Sequence, residues 1–187
     1  MSILLAASAA ALGCGGGTAS APGATSPSSA AAVGDPSLPK PATKPDSDKV
    51  TWKKDASPKS CHTGAKGGDL AANVTAMSNA CVDKKMHLVG TTTMGEGSRE
   101  KMVQSIPLKG EANHCYRVVG IAEATVTDFD IAVMDSTGKS IGEDLLDTND
   151  AVVLEDGVFC FKQDDTASIN VAVASGAGKW AVSVFAD

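Results

Sequence analysis

From about Met102 onward, apolar residues recur at every second position, the spacing of strands that bury one face. The pattern predicts strands over Met102 to Leu108, Cys115 to Ile121, Phe129 to Met134, Ala151 to Leu154, Val158 to Phe161, Ser168 to Ala174 and Trp180 to Phe185. Phe129, Ile131 and Val133 share one face; Ile169, Val171 and Val173 another; Trp180, Val182 and Val184 a third. Turn-forming sequences divide them: Asp135-Ser136-Thr137-Gly138, Thr148-Asn149-Asp150, Asp156-Gly157 and Ser175-Gly176-Ala177-Gly178. Seven or eight short strands so divided predict a mainly β fold, an antiparallel β-sandwich of jelly-roll-like type. Ahead of them the period changes to that of a helix. Leu70, Val74 and Met77 line one face over Gly68 to Cys81, and Asp69 is placed to cap the N-terminus. This short helical adjunct is expected to pack on the β domain. Gly95 and Gly97, in Thr-Met-Gly-Glu-Gly-Ser, read as a surface loop.

The first third of the chain follows neither period. Ile3 to Leu12 is a short apolar run closed by Ala11-Leu12-Gly13-Cys14, too short to remain as a membrane-spanning helix. From Gly15 to about Pro58 the chain is Gly, Ala, Ser, Thr, Pro and Lys, with almost no large apolar residue. Such a stretch cannot bury enough surface to offset its ordering entropy, so it reads as a disordered spacer. Lys40, Lys44, Lys49, Lys53, Lys54 and Lys59 read as solvation of that spacer. The expected organisation is therefore 1–13 signal peptide, 14–58 tether, 59–100 disulfide-closed helical or irregular adjunct, and 101–187 β-sandwich. A net charge of −6 with scattered Lys and Arg argues against nucleic acid as a partner.

Two resemblances follow. The apolar run ending in Ala-Leu-Gly-Cys resembles a bacterial lipoprotein signal with its lipobox, although no Lys or Arg precedes the run and Ala11 stands where Leu is commoner. That resemblance implies cleavage before Cys14, acylation of its thiol, and anchoring in the cell envelope. Gly15 in place of an Asp favours the outer over the inner membrane. The second resemblance lies in Cys115-Tyr116-Arg117-Val118-Val119-Gly120, Asp128-Phe129-Asp130-Ile131-Ala132-Val133-Met134-Asp135 with Gly138, Gly157-Val158-Phe159-Cys160-Phe161, and Gly178-Lys179-Trp180-Ala181-Val182-Ser183-Val184. This order is similar to the bacterial pre-peptidase C-terminal domain family, over roughly residues 102 to 186. It implies a jelly-roll-like sandwich of secreted proteins, usually outside a catalytic domain and in some relatives calcium-binding. The Gly-Cys-Gly-Gly-Gly start with such a domain also resembles uncharacterised lipoproteins of myxobacteria. The cysteines are not part of the general family pattern.

Besides Cys14, four cysteines remain, and an exported chain would pair them in one of three ways. Alternation selects among these. Cys115 points away from Tyr116 and Val118, and Cys160 away from Phe159 and Phe161, so both thiols lie outside the aromatic faces. Facing residues on neighbouring strands are within disulfide reach. The expected bridges are Cys115–Cys160 and Cys61–Cys81, each contributing about 2 to 4 kcal/mol. His62, His87 and His114 each lie near a cysteine in sequence, yet no zinc spacing is present.

No motif for nucleophilic, metal-dependent or phosphate chemistry stands out, so the expectation is a protein that is not an enzyme. Asp128, Asp130, Asp135, Glu143, Asp144, Asp147 and Asp150 crowd one stretch. Most read as turn formers and solvated edges; Asp128, Asp130, Asp135 and Asp147 are the candidates for calcium, which wants six to eight oxygens. No other cofactor is expected. Trp180 and Tyr116 read as core. The function these features predict is a tethered interaction or adhesion module with an envelope protein or polysaccharide as ligand. The alternatives are a calcium-dependent accessory or targeting domain serving a separate hydrolase, and a small envelope enzyme with an unrecognised site.

Overall fold

A computed structural model describes residues 45–54, 61–62, 68–101, 103–144 and 146–187. The signal run, Cys14 and the tether up to residue 44 lie outside them, as do Lys59 and Met102. Ten strands and one helix occur among the described residues: β1 (Val50–Lys54), α1 (Leu70–Cys81), β2 (His87–Leu88), β3 (Thr93–Ser98), β4 (Gln104–Gly110), β5 (Cys115–Ala122), β6 (Val126–Met134), β7 (Ser140–Glu143), β8 (Asp150–Val152), β9 (Gly157–Phe161) and β10 (Asp165–Ala186). The fold is mainly β and every strand pair is antiparallel.

The long strand β10 organises the molecule. Its first half lies between β4 and β6, with β7 beyond β6. Its second half lies between β3 and β5, with β9 and then β1 beyond β5. Two sheets thus share one strand that turns the corner between them. Ala167, Ile169, Val171 and Val173 are buried in the first half, Trp180 and Val182 in the second. The buried positions change from odd to even, which a regular strand cannot do. Register shifts between Val173 and Gly176 supply the missing step. Gly176 takes φ +88 there, and a Cβ on it would lie 2.2 Å from the Thr125 carbonyl oxygen. The Ser175–Gly178 sequence is therefore a bulge inside one strand, where a turn between two strands was expected.

The inner faces of both sheets meet in one core holding Tyr116, Val118, Phe129, Ile131, Val133, Phe159, Phe161, Ile169, Val171 and Trp180. On the other face of β5, away from Tyr116 and Val118, a second cluster forms. There α1 lays Leu70, Val74 and Met77 against Val119 and Ile121 of β5, Val152 of β8 and Ala181 of β10. Helix α1 begins as its sequence predicts, with the Asp69 carboxylate accepting the Ala71 N–H at 2.9 Å. Strand β5 is buried along its whole length because the core covers one face and the helix layer much of the other.

Three expectations are corrected. Gly95 and Gly97 are not in a loop. They lie on β3, where a Cβ at Gly95 would sit 2.2 Å from the Trp180 ring and one at Gly97 2.7 Å from the Val173 side chain, so the missing side chains make room for the indole and the valine. Residues 87–98 accordingly belong to the main sheet and not to an irregular adjunct. The last part of the expected tether is also folded. Asp46 and Ser47 donate backbone N–H groups to the Ser140 carbonyl at 2.9 and 3.1 Å. Lys49 pairs with Asp165 at 2.7 Å. Strand β1 then lies along β9 with Trp52 opposite Phe159, so Trp180 is not the sole tryptophan of the folded part. Residues 45–54 strap the β1 side of one sheet to the β6–β7 turn of the other. Only two apolar residues in that strand, Val50 and Trp52, signal it, too few to stand out against the prolines and lysines around them.

Both disulfides are present, Cys61–Cys81 and Cys115–Cys160. Cys115 faces Cys160 directly across β5 and β9, while Tyr116 faces Phe159 on the core side. The side-chain alternation that selected this pairing holds.

Candidate functional site

The polar feature that the sequence singles out is the run of acids from Asp128 to Asp150, and the strand order disperses it over the molecule. On β6, Phe129, Ile131 and Val133 point into the core, so Asp128 and Asp130 point outward. Glu143 of β7 lies opposite Ala132 and shares that outer face. Asp147, in the connection from β7 to β8, is exposed and adds its charge to the group. Burial together with Asp128, Asp147 and Glu143 pushes the Asp130 carboxyl up to about 6. Burial also raises Glu143, against the hydrogen bond that Ser140 Oγ donates to it at 2.9 Å.

Asp144 stands where the chain crosses from one sheet to the other. Its N–H donates to the Ile131 carbonyl, and its Oδ1 accepts the Val152 N–H at 3.1 Å. The residue thereby ties β6, through its backbone, to β8, through its side chain. Its second oxygen, Oδ2, is buried and has no hydrogen-bond partner among the described residues. Burial drives the Asp144 carboxyl up to about 7, more than the N–H groups of Val152 and Leu146 can offset.

Asp135 has a different task. It lies five residues beyond Asp130, roughly 17 Å along the strand. It accepts hydrogen bonds from Ser47 Oγ (2.5 Å), Thr137 Oγ1 (2.6 Å), and the N–H groups of Thr137 (2.7 Å) and Lys139 (3.0 Å). Burial works to raise it, but these donors outweigh burial and hold the carboxylate well below its ordinary range. It is a clamp between the 45–54 strap and the β6–β7 turn. Asp150, almost fully buried, lies on the face of the other sheet beneath the helix layer. It accepts from Thr148 Oγ1 at 2.9 Å and meets His62 Nδ1 at 3.1 Å. Glu155 approaches the other His62 nitrogen at 3.6 Å. Both of these partners of the imidazole are carboxylates, and the contact anchors the Cys61 segment.

No family model and no curated protein matches this chain.

Of the four calcium candidates, Asp128, Asp130 and Asp147 thus share one neighbourhood and Asp135 does not. Among the described residues, no three His, Cys, Asp or Glu side chains come together as a metal-binding group. Burial is the main reason that the Asp130 and Asp144 carboxyls are both raised towards neutrality. His87 and His114 lie elsewhere: His87 is on β2, and His114 Nδ1 meets the Asp187 carbonyl at 2.6 Å. Sequence reasoning passed over the His62–Asp150 contact, since 88 positions separate the two residues and no local spacing links them.

Proposed function

We propose that this chain is a non-enzymatic lipoprotein of the cell envelope, anchored through Cys14 and presenting its β domain as an interaction or adhesion module. Its ligand class on this reading is a polysaccharide or another envelope protein. The observation that carries the reading is the disulfide pairing. The chain has five cysteines, and the two bridges use four of them, which leaves Cys14, the cysteine of the lipobox-like sequence. Disulfides inside a domain are the mark of an oxidising compartment, and a lipid on Cys14 would hold such a domain at the membrane with residues 15–44 as spacer. Expressed in a Gram-negative host with labelled palmitate, the full chain should incorporate label and sediment with membranes. The Cys14→Ala protein should do neither. Lack of label in the unaltered chain would end the proposal.

A second reading, a calcium-dependent accessory module, has the crowding of Asp128, Asp130, Glu143 and Asp147 behind it, because a cation would relieve their repulsion. Calcium titration followed by thermal unfolding separates the two readings. The adhesion module predicts an unmoved midpoint. The calcium module predicts a rise that the Asp130→Asn variant abolishes.

A further inference from the structure

Helix α1 covers β5, β8 and β10 on the outer face of their sheet, but the part of that face towards β1 is left as a cleft of about 270 Å³. On one side stand Lys53 and Lys54 of β1, with Lys53 paired opposite Val158 of β9. On the other is the turn that leaves α1. There the Asp83 carboxylate accepts the Lys85 N–H and the Asp83 carbonyl accepts the Met86 N–H, both at 2.9 Å. Charges of both signs therefore line the cleft, and they do not neutralise one another. Lys53 Nζ lies 3.2 Å from Cys115 Sγ, while Asp187 Oδ1 accepts the Cys115 N–H at 2.8 Å. An ammonium and a carboxylate thus flank a single residue. Lys54, Lys85 and Asp83 add two ammoniums and a carboxylate. Among the described residues, no ion pair joins these lysines to either acid.

We propose that this cleft binds small zwitterions of the dipeptide class, with both termini free. A plain anion would be repelled by the two carboxylates and a plain cation by the three ammoniums. A molecule bearing both charges a few bonds apart meets a complement for each. Its carboxylate goes to Lys54 and Lys85, and its ammonium goes to Asp187 and Asp83. Each of these acids gives one oxygen to a backbone N–H and has a second for the ligand. The half-buried side chains of Met86 and Val158 receive the hydrocarbon between the two ends. The volume is at the small end for ligand clefts, which suits one or two residues better than a longer chain. Ion pairs in a partly exposed cleft are individually weak, so binding needs both ends engaged together. The site is additional to the macromolecular ligand proposed above and independent of whether Cys14 is acylated.

The test titrates the oxidised, nitrogen-15-labelled full chain with leucyl-alanine in four forms: both termini free, N-acetylated, C-amidated, and blocked at both ends. The free dipeptide should shift the amide signals of Met86, Cys115 and Val158 with a Kd of about 1 mM or tighter at low salt, weakening as salt is added. Each singly blocked form should bind about 3- to 10-fold more weakly, and the doubly blocked form most weakly. Asp187→Asn, which keeps an oxygen for the Cys115 N–H, should shrink the gap between the free and acetylated forms. The paired change Lys54→Gln and Lys85→Gln should shrink the gap between the free and amidated forms. Acetylated peptide binding as tightly as free would make this a plain anion site and overturn the proposal. Amidated peptide binding as tightly as free, equal affinities for all four, or no shift at these residues up to about 10 mM would overturn it too. The four-peptide series on the unaltered chain decides the matter even if a variant fails to fold.

Discussion

Replacing Trp180 by alanine should cost the domain about 3 to 5 kcal/mol of unfolding free energy. The indole is 2% exposed, packs near Phe129 with ring centroids 6.3 Å apart, and covers Gly95, its direct partner across β3 and β10. That arrangement predicts a coupling as well as a loss. In the unaltered chain, Gly95→Ala pushes a methyl into the ring and should cost about 1 to 3 kcal/mol, the usual penalty of overpacking. In the Trp180→Ala background the ring is gone, so the same methyl should be neutral or mildly stabilising. Urea unfolding of the four proteins completes the cycle, and a coupling of at least about 1 kcal/mol is expected. Strictly additive losses would mean that Gly95 is required by its own backbone and not by the indole.

The second large effect is a stability that declines as the solution becomes alkaline. Asp144 and Asp130 have folded-state carboxyls raised to about 7 and about 6, above the unfolded value, so folding favours their protonated forms. Their contribution is complete below about pH 4 and is lost progressively as the pH rises from there through about 6 and 7. For the buried Asp144 this loss is on the order of 3 kcal/mol. Asp135 and Asp165 act in the opposite sense. Burial raises each, but hydrogen bonds from Ser47 and Thr137 to Asp135, and from Lys49 and Ser136 to Asp165, hold both below the ordinary range. Their contribution is lost as the pH falls below about 4. Stability should therefore be greatest near pH 4, fall progressively as the pH rises to about 7, and level off towards pH 8. Asp144→Asn keeps an oxygen for the Val152 N–H and cannot ionise, so it should flatten the alkaline side of the profile and stabilise the chain near pH 8. An unchanged slope in that variant would place the ionisation elsewhere.

The pH behaviour shows why the acidic stretch was only half readable. Asp128, Asp130 and Asp147 do influence one another, as their nearness along the chain implies. Asp135, Asp144 and Asp150 part company because each strand carries its neighbours to a different sheet or end. Sequence distance orders carboxylates along a line, whereas the crossing from β7 to β8 decides which of them share solvent. The same limit hid the 45–54 strap: its partners Ser140, Asp135 and Asp165 are 88 to 116 positions away.

What the amino-acid order determined alone was whatever depends on local periodicity. Alternation placed Tyr116, Phe159 and Phe161 inward and therefore Cys115 and Cys160 outward and together. Helical spacing with Asp69 as cap placed α1. Only the tertiary structure decided that Ser175–Gly178 is a bulge within one strand, that Gly95 leaves room for Trp180 and Gly97 for Val173, and that Lys53 lies against Cys115. These depend on which strands become neighbours, and that choice is made by how all the apolar faces close on one another.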